Sequence, residues 1–427
     1  MSDTCFSQTG RATQLLHAGS PDLRGGSGPV NVPVVRTSTV RFESSAAFAE
    51  HHHRRSAGER IATYGRHGLD THRALEDAVT ALEGGHRAFL APSGLSAITL
   101  VLLALLSPGD HALVADSVYS PVRRVDDTLL QRLGITLEYF SPSQDDLAQK
   151  IRPGTKLVYL ESPSSLLYEV LDLPALGAIA RAHGIPVAID NTWSGGWFHQ
   201  PLALGANISI HASTKYISGH SDVMQGIVVT DSAALSEKVA AAHEALGLTV
   251  GADDAALALR GLRTLPVRLA QHQRHATQVA QWLLEQPQVG RVFYPALPSD
   301  PGHALWKRDF SGANGLVSFA FEDGIDARGA EAFVDALRFF AIGASWGGYE
   351  SLALVASPDR LREHSFWRGG QPVVRLHVGL EDPQDLMADL GQALARVGEM
   401  RSSESIKPPF DKLRANGKTV RGEPVEP

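Results

Sequence analysis

The strongest constraint on this chain is a rhythm in which short apolar runs alternate with stretches of helical periodicity. HALVAD at 111–116, ITLEYF at 135–140, KLVYLES at 156–162, PVAIDNT at 186–192 and QGIVVTD at 225–231 each have the length of a buried strand. Strands joined through helices run parallel, so the rhythm predicts an α/β fold with a mainly parallel sheet sandwiched by helices. Ligands of such sheets sit at the carboxyl ends of the strands, which makes the residues just after the runs the first candidates for chemistry. The 427 residues are 43% hydrophobic and 20% charged, enough for a large core without disulfides or structural metals. Basic and acidic groups number 39 and 46, a net charge of −7, which opposes attraction to nucleic acid or to an anionic membrane.

Residues 1–60 are rich in Gly, Ser, Pro and Arg and weakly periodic; they read as an arm laid on another surface, such as a neighbouring subunit. A large domain is expected over 61–252. Near its start Ala74, Leu75, Ala78, Val79 and Leu82 recur at helical spacing after Asp70, and Gly84-Gly85 supplies a stop. A connecting helical region follows at 253–285, where Pro266 should kink or interrupt the helix. The stretch 286–398 reads as a smaller α+β domain with strands in RVFYP, GLVSFAFED, FFAIGAS and PVVRLHVGL and a closing helix from Pro383 to Val397. The Lys-, Arg-, Glu- and Pro-rich tail 399–427 has too few large apolar residues to order itself. Cys5 is the sole cysteine, which excludes an intrachain disulfide and suits a reducing cytoplasm. The longest apolar run, Ile98 to Leu106, is far short of a membrane span, and neither secretion nor membrane insertion is expected.

The segment ISIHASTKYISGHSD, 208–222, passes from a β-rich run into small and hydroxyl residues around one lysine, Lys215. A lysine that forms a Schiff base needs a lowered pKa and a fixed position, and a turn after a strand in a pocket supplies both. Ser213 and Thr214 have hydroxyls suited to a phosphate. Upstream, the run PVAI delivers Asp190 to the end of a strand, where a carboxylate can keep a pyridine nitrogen protonated. APSGLSAIT, 91–99, follows the run HRAFL and opens a helix whose free N–H groups, at Gly94 and Leu95, can bind a phosphate dianion. Tyr119 follows the run HALVA and can stack on a flat cofactor. Each feature has an ordinary alternative: a surface lysine, a helix-capping aspartate, a common βα turn, a core tyrosine. Arg375, on an apolar strand, is unusual by itself, since an inward charge needs a partner.

Together, YGRHG at 64–68, ESPSSLLYEV at 161–170, AIDNTW at 188–193, STKYISGHSD at 213–222, RGLRTLPVRL at 260–269, SWGGYESL at 345–352 and RLHVGLED at 375–382 resemble the Cys/Met-metabolism family of pyridoxal-phosphate enzymes, of the fold-type I class. The resemblance covers about residues 10–398. It implies a transferase-like fold with a seven-stranded, mainly parallel sheet and a smaller C-terminal α+β domain, and pyridoxal 5'-phosphate as cofactor. It implies that Lys215 carries the cofactor and acts in catalysis, that Asp190 meets the ring nitrogen, and that Tyr119 stacks on the ring and takes part in catalysis and substrate binding. Gly94, Leu95, Ser213 and Thr214 would hold the phosphate, joined by Tyr64 and Arg66 from an adjacent subunit in a dimer of dimers. Arg375 would grip the substrate α-carboxylate, with Ser345 and Trp346 lining the same end.

SWGGYES and the serine-bearing ESPSS lie closer to the family's bacterial cystathionine β-lyase branch than to the γ-enzymes, whose members usually carry asparagine at the position of Ser165. The implied reaction is α,β-elimination of the thioether cystathionine to homocysteine, pyruvate and ammonia. Sister activities on the same scaffold remain open: γ-elimination of cystathionine or methionine, cysteine desulfhydration, or homoserine-ester sulfhydrylation. A cofactor-binding regulator or scaffold is a further alternative, opposed by the joint presence of Lys215, Asp190, Tyr119 and Arg375. His51-His52-His53 invites a metal, but adjacent side chains point apart and no carboxylate or cysteine cluster accompanies them, so no metal is expected. Trp193, Trp197 and Phe198 suit either pocket lining or packing between domains, and His220 and Asp222 suit structural hydrogen bonds.

Overall fold

The computed structural model describes residues 9–21, 26–357, 363 and 366–405. Cys5 and residues 406–427 lie outside the described residues. Each of the five runs at 111–116, 135–140, 156–162, 186–192 and 225–231 forms a strand, whereas the longest apolar run, from Ile98, lies in a helix. The first sheet contains β1 (Arg87–Ala91), β2 (His111–Ala115), β3 (Thr136–Phe140), β4 (Thr155–Glu161), β5 (Val187–Asp190), β6 (Ile208–Ala212) and β7 (Gly226–Thr230), in the order β1-β7-β6-β5-β4-β2-β3. β7 runs antiparallel to both neighbours, and the other pairs are parallel. The α/β fold with a seven-stranded, mainly parallel sheet is as expected.

Alternation along the strands assigns each face to its own apolar layer. On β1, Phe89 and Ala91 join the layer that holds Leu100, Val158 and Val228, whereas Ala88 and Leu90 join Leu75, Ile227 and Leu262. Helices Gly94–Leu105 and Asp70–Glu83 lie in opposite layers. The second buries Ala74, Leu75, Ala78, Val79 and Leu82, the residues its spacing marked, and ends at Gly84 with φ 66°.

The helix Ala252–Leu284 is continuous, and Pro266 does not interrupt it. Leu265 and Leu269 on either side are fully buried, so tertiary packing outweighs the lost backbone hydrogen bond. The helix leads into a second sheet of β8 (Val289–Phe293), β9 (Leu316–Phe321), β10 (Ala341–Ile342), β11 (Leu352–Val355) and β12 (Val373–His377), in the order β10-β11-β12-β9-β8. β10 shrinks to two residues, and β11, within SLALV, was not anticipated as a strand. The closing helix extends beyond Val397 to Ser405, into the stretch read as tail.

The N-terminal stretch carries two helices that its weak periodicity did not signal. Arg11–His17 packs on its own chain: Leu15 is buried, and Arg11 donates to the carbonyls of Leu82, Gly196 and Trp197. Ser45–Ser56, capped by Ser44, buries no residue. Trp193 packs its ring edge-on against Phe310 of the second sheet's half at 5.8 Å, and Phe198 is buried as well, so these aromatics pack between the two halves.

Candidate active site

Lys215 stands in the turn after β6, and its Nζ donates to Ser345 Oγ at 2.7 Å. The same Nζ lies 5.2 Å from the centre of the Trp346 ring. Enclosure of the amine, followed by the nearby Arg375 charge, lowers its pKa to about 8 against the opposing pull of Asp190. Arg375, on β12 and 8% exposed, donates through Nη2 to the carbonyls of Gly343 (3.2 Å) and Ser345 (3.0 Å). One loop from the second sheet thus meets both cations. Gly347 fits it to the turn: with φ 92°, a Cβ there would lie 2.9 Å from the backbone of Lys215, a spacing that only glycine tolerates.

Asp190 ends β5 and is 7% exposed. Thr192 donates both its backbone N–H (2.9 Å) and its hydroxyl to Oδ1. Burial raises the carboxyl pKa, with the Thr192 bonds pulling against it. Opposite Asp190 in register stands Glu161 of β4, which sequence reasoning gave no role. Its Oε2 accepts the Tyr119 N–H at 2.5 Å, and enclosure together with the neighbouring Asp190 pushes its carboxyl well up. Tyr119 itself is 43% exposed.

Gly94 begins the helix Gly94–Leu105, capped by Ser93, and a Cβ at Gly94 would meet that of Ala212 at 2.6 Å. This contact sets the helix N-terminus beside the Ser213–Lys215 turn. Ser213 is fully buried, and its hydroxyl donates to Gln225 Oε1 at 3.0 Å. The Thr214 hydroxyl donates to the Gln225 carbonyl and accepts from its N–H. Tyr64 and Arg66 lie apart on the exposed Gly65–His67 turn, the guanidinium 6.0 Å from the Tyr64 ring. Among the described residues, no hydrogen bond or ion pair joins them to Lys215. A cavity of about 530 Å³ lined by Arg152, Lys156, His183 and Lys238 lies away from Lys215, at the opposite ends of β4 and β5.

A model of the Cys/Met metabolism PLP-dependent enzyme family matches residues 12–395. The chain belongs to this family. It is 51% identical over 390 residues to the cystathionine beta-lyase of Bordetella avium, covering 90% of this chain and 97% of that one. With cystathionine beta-lyase MetC of Escherichia coli it shares 40% over 392 residues, covering 90% and 98%. Among solved structures, cystathionine gamma synthase from Xanthomonas oryzae superimposes with a TM-score of 0.83 at 33% identity, covering 92% of this chain and 99% of that one. Cystathionine gamma-lyase from Lactobacillus plantarum gives 0.82 at 30%, covering 91% and 100%.

The family's cofactor is pyridoxal phosphate, and the donor set suits it. A lysine of lowered pKa, a buried carboxylate fixed at one oxygen, and a capped helix N-terminus packed too tightly for a side chain at Gly94 stand together. The buried Gln225 Nε2 beside the Ser213 and Thr214 hydroxyls lacks a hydrogen-bond partner among the described residues, a vacant donor next to the expected phosphate. His220 Nδ1 bonds the Ser218 carbonyl at 2.7 Å, a structural contact. His51 bonds the Ala47 carbonyl and packs with Phe42. Among the described residues, no group of three or more His, Cys, Asp or Glu side chains is arranged to hold a metal, and no helix is long and apolar enough to cross a membrane.

Leu166 and Tyr168, with φ of 66° and 55°, are further features that the sequence did not reveal. Left-handed backbone at such residues costs on the order of 1–3 kcal/mol and concentrates at functional sites. Here it folds the ESPSSLLYEV loop against β9, where Ser318, paired in register with Arg375 of β12, bonds the Leu166 carbonyl and the Tyr168 hydroxyl.

Proposed function

We propose that the protein is a pyridoxal-phosphate carbon–sulfur lyase that cleaves cystathionine by α,β-elimination to homocysteine, pyruvate and ammonia. The observation that carries this reading is the Lys215 amine, held by Ser345 within the electrostatic reach of both Arg375 and Asp190. The bound cofactor supplies an electron sink for the carbanion formed at the substrate α-carbon.

Arg375 receives the α-carboxylate in a bidentate fork, and its bonds to Gly343 and Ser345 hold the guanidinium in place. The Lys215 amine, where free and neutral, would take the substrate α-proton. With a pKa of about 8, roughly a tenth of its amine is free at pH 7. Asp190 keeps the ring nitrogen protonated, and Thr192 fixes the oxygen it presents. Tyr119 or Lys215 protonates the departing thiolate. Trp346 and Ser345 wall the cleft where the carboxylate enters.

A second copy would place Tyr64 and Arg66 against the phosphate, within a homotetramer in the cytoplasm. Support comes from the helix Ser45–Ser56, which buries no residue within its own chain.

Identity favours β- over γ-elimination, since the relatives at 51% and 40% are cystathionine beta-lyases and the γ-enzymes stand at 33% and 30%. The γ reading nevertheless retains the observation that both superimpose along almost their whole length. Product analysis on cystathionine separates the two: pyruvate with homocysteine is expected, and 2-oxobutyrate with cysteine would overturn the β assignment.

A further inference from the structure

Glu83 is the last residue of the helix Asp70–Glu83, and its side chain is wholly buried. This is a costly place for a carboxylate, removed from water and at the negative end of a helix dipole. His211 Nε2 lies 2.8 Å from Oε1, and Asn191 Nδ2 donates to the same oxygen at 3.0 Å. Asn191 Oδ1 in turn accepts from the Ser194 hydroxyl at 2.7 Å and faces His199 Nδ1 at 3.1 Å. From the solvent side Arg11 holds the carbonyls of Leu82 and Gly196, the first of them next to Glu83 in the chain.

Asn191 follows Asp190 directly. Thr192, next in line, holds Asp190 Oδ1 and accepts the Ala212 N–H at 2.8 Å. The network therefore ties one helix end, the turn after β5 and the strand β6 that leads to Lys215 into one fixed corner.

We propose that Glu83 is a positioning residue for the cofactor: by anchoring Asn191 it fixes the turn that presents Asp190 to the ring nitrogen. The inference rests on the reading of Asp190 as the ring-nitrogen partner. In metal sites, partners that orient a ligating residue contribute about tenfold or more to affinity, which sets the scale for a group that orients the turn carrying Asp190, and partners acting through a shared residue are non-additive.

The test is the cofactor dissociation constant of the holoenzyme, read from its visible absorbance, together with thermal unfolding. Glu83→Ala is expected to weaken cofactor binding by roughly tenfold. Glu83→Gln, which keeps one oxygen acceptor for Asn191, should recover part of that loss. In an Asp190→Ala background, Glu83→Ala should add little. Wild-type cofactor affinity in a folded Glu83→Ala protein, or losses that simply add, overturns the proposal and leaves the Asp190 reading intact. Unchanged affinity in Asp190→Ala alone would overturn that reading, and the proposal with it. If Glu83→Ala does not fold, Asn191→Ala, which spares the Glu83–His211 pair, is read by the same criteria.

Discussion

The two sheets approach the reactive cleft in opposite ways. The seven-stranded sheet contributes strand ends: Asp190 closing β5 and held by Thr192, Lys215 in the turn after β6 and held by Ser345, and Tyr119 beyond β2 with its N–H on the Glu161 carboxylate. The five-stranded sheet contributes the middle of a strand, where Arg375 is paired in register with Ser318 and Leu354, and the loop that carries Ser345 and Trp346. A strand end can be reshaped by its turn, whereas a strand middle is fixed by the ladder on both sides. On the proposed roles, the chemistry belongs to the sheet whose turns are adjustable, and the grip on substrate to the rigid ladder.

The largest effect that would break this division is at Lys215. Replacing Lys215 with Ala should lower turnover on cystathionine by at least about 10³-fold, as expected for loss of a positioned base, and should abolish the yellow colour. The unfolding temperature should stay close to wild type; near-wild-type turnover would end the assignment. Arg375→Leu should act on binding, raising KM by the equivalent of roughly 2–5 kcal/mol if the charge pair is desolvated, with the cofactor retained. Loss of cofactor in that variant would erase the distinction between the two sheets.

Smaller effects sharpen it. If Tyr64 and Arg66 serve a neighbouring copy, Arg66→Ala and Lys215→Ala chains, each inactive alone, should regain partial activity when refolded together. Mixed oligomers that form and remain inactive would place Arg66 within its own cleft. The smallest effect is a titration. The Lys215 pKa is depressed to about 8, so cofactor attachment to the apoprotein, which needs the neutral amine, should rise with pH and level off above that value. Arg375→Leu removes a like charge and should move the midpoint upward. A midpoint near the ordinary lysine value in the unaltered protein would show that the amine is not enclosed.

The parallel sheet was legible because strands buried on both faces leave unbroken apolar runs, and Lys215 and Asp190 stand just beyond two of them. The grouping of Ser345 and Trp346 with Arg375 came from motif resemblance alone: nothing local in SWGGYESL says that Ser345 meets Lys215 across 130 positions. Glu161 and Glu83 went unread because their surroundings are made by register and by contacts such as Glu83 to His211, 128 residues apart. The inward turn of the Ser213 hydroxyl toward Gln225 likewise depends on β7 lying antiparallel to β6. Pro266 misled because local propensity argues from one turn of helix, whereas the helix is held by its buried stripe.

That helix, Ala252–Leu284, gives Leu262, Leu265 and Leu269 to one apolar layer and Ala276, Val279 and Leu283 to another. Its middle turn, around His272, belongs wholly to neither, and it sets a rule for building hybrids with relatives. A chimera joined between Leu269 and Ala276 would leave both stripes with their native partners, whereas one joined in the loop before β8 would graft a foreign sheet onto a stripe shaped for another.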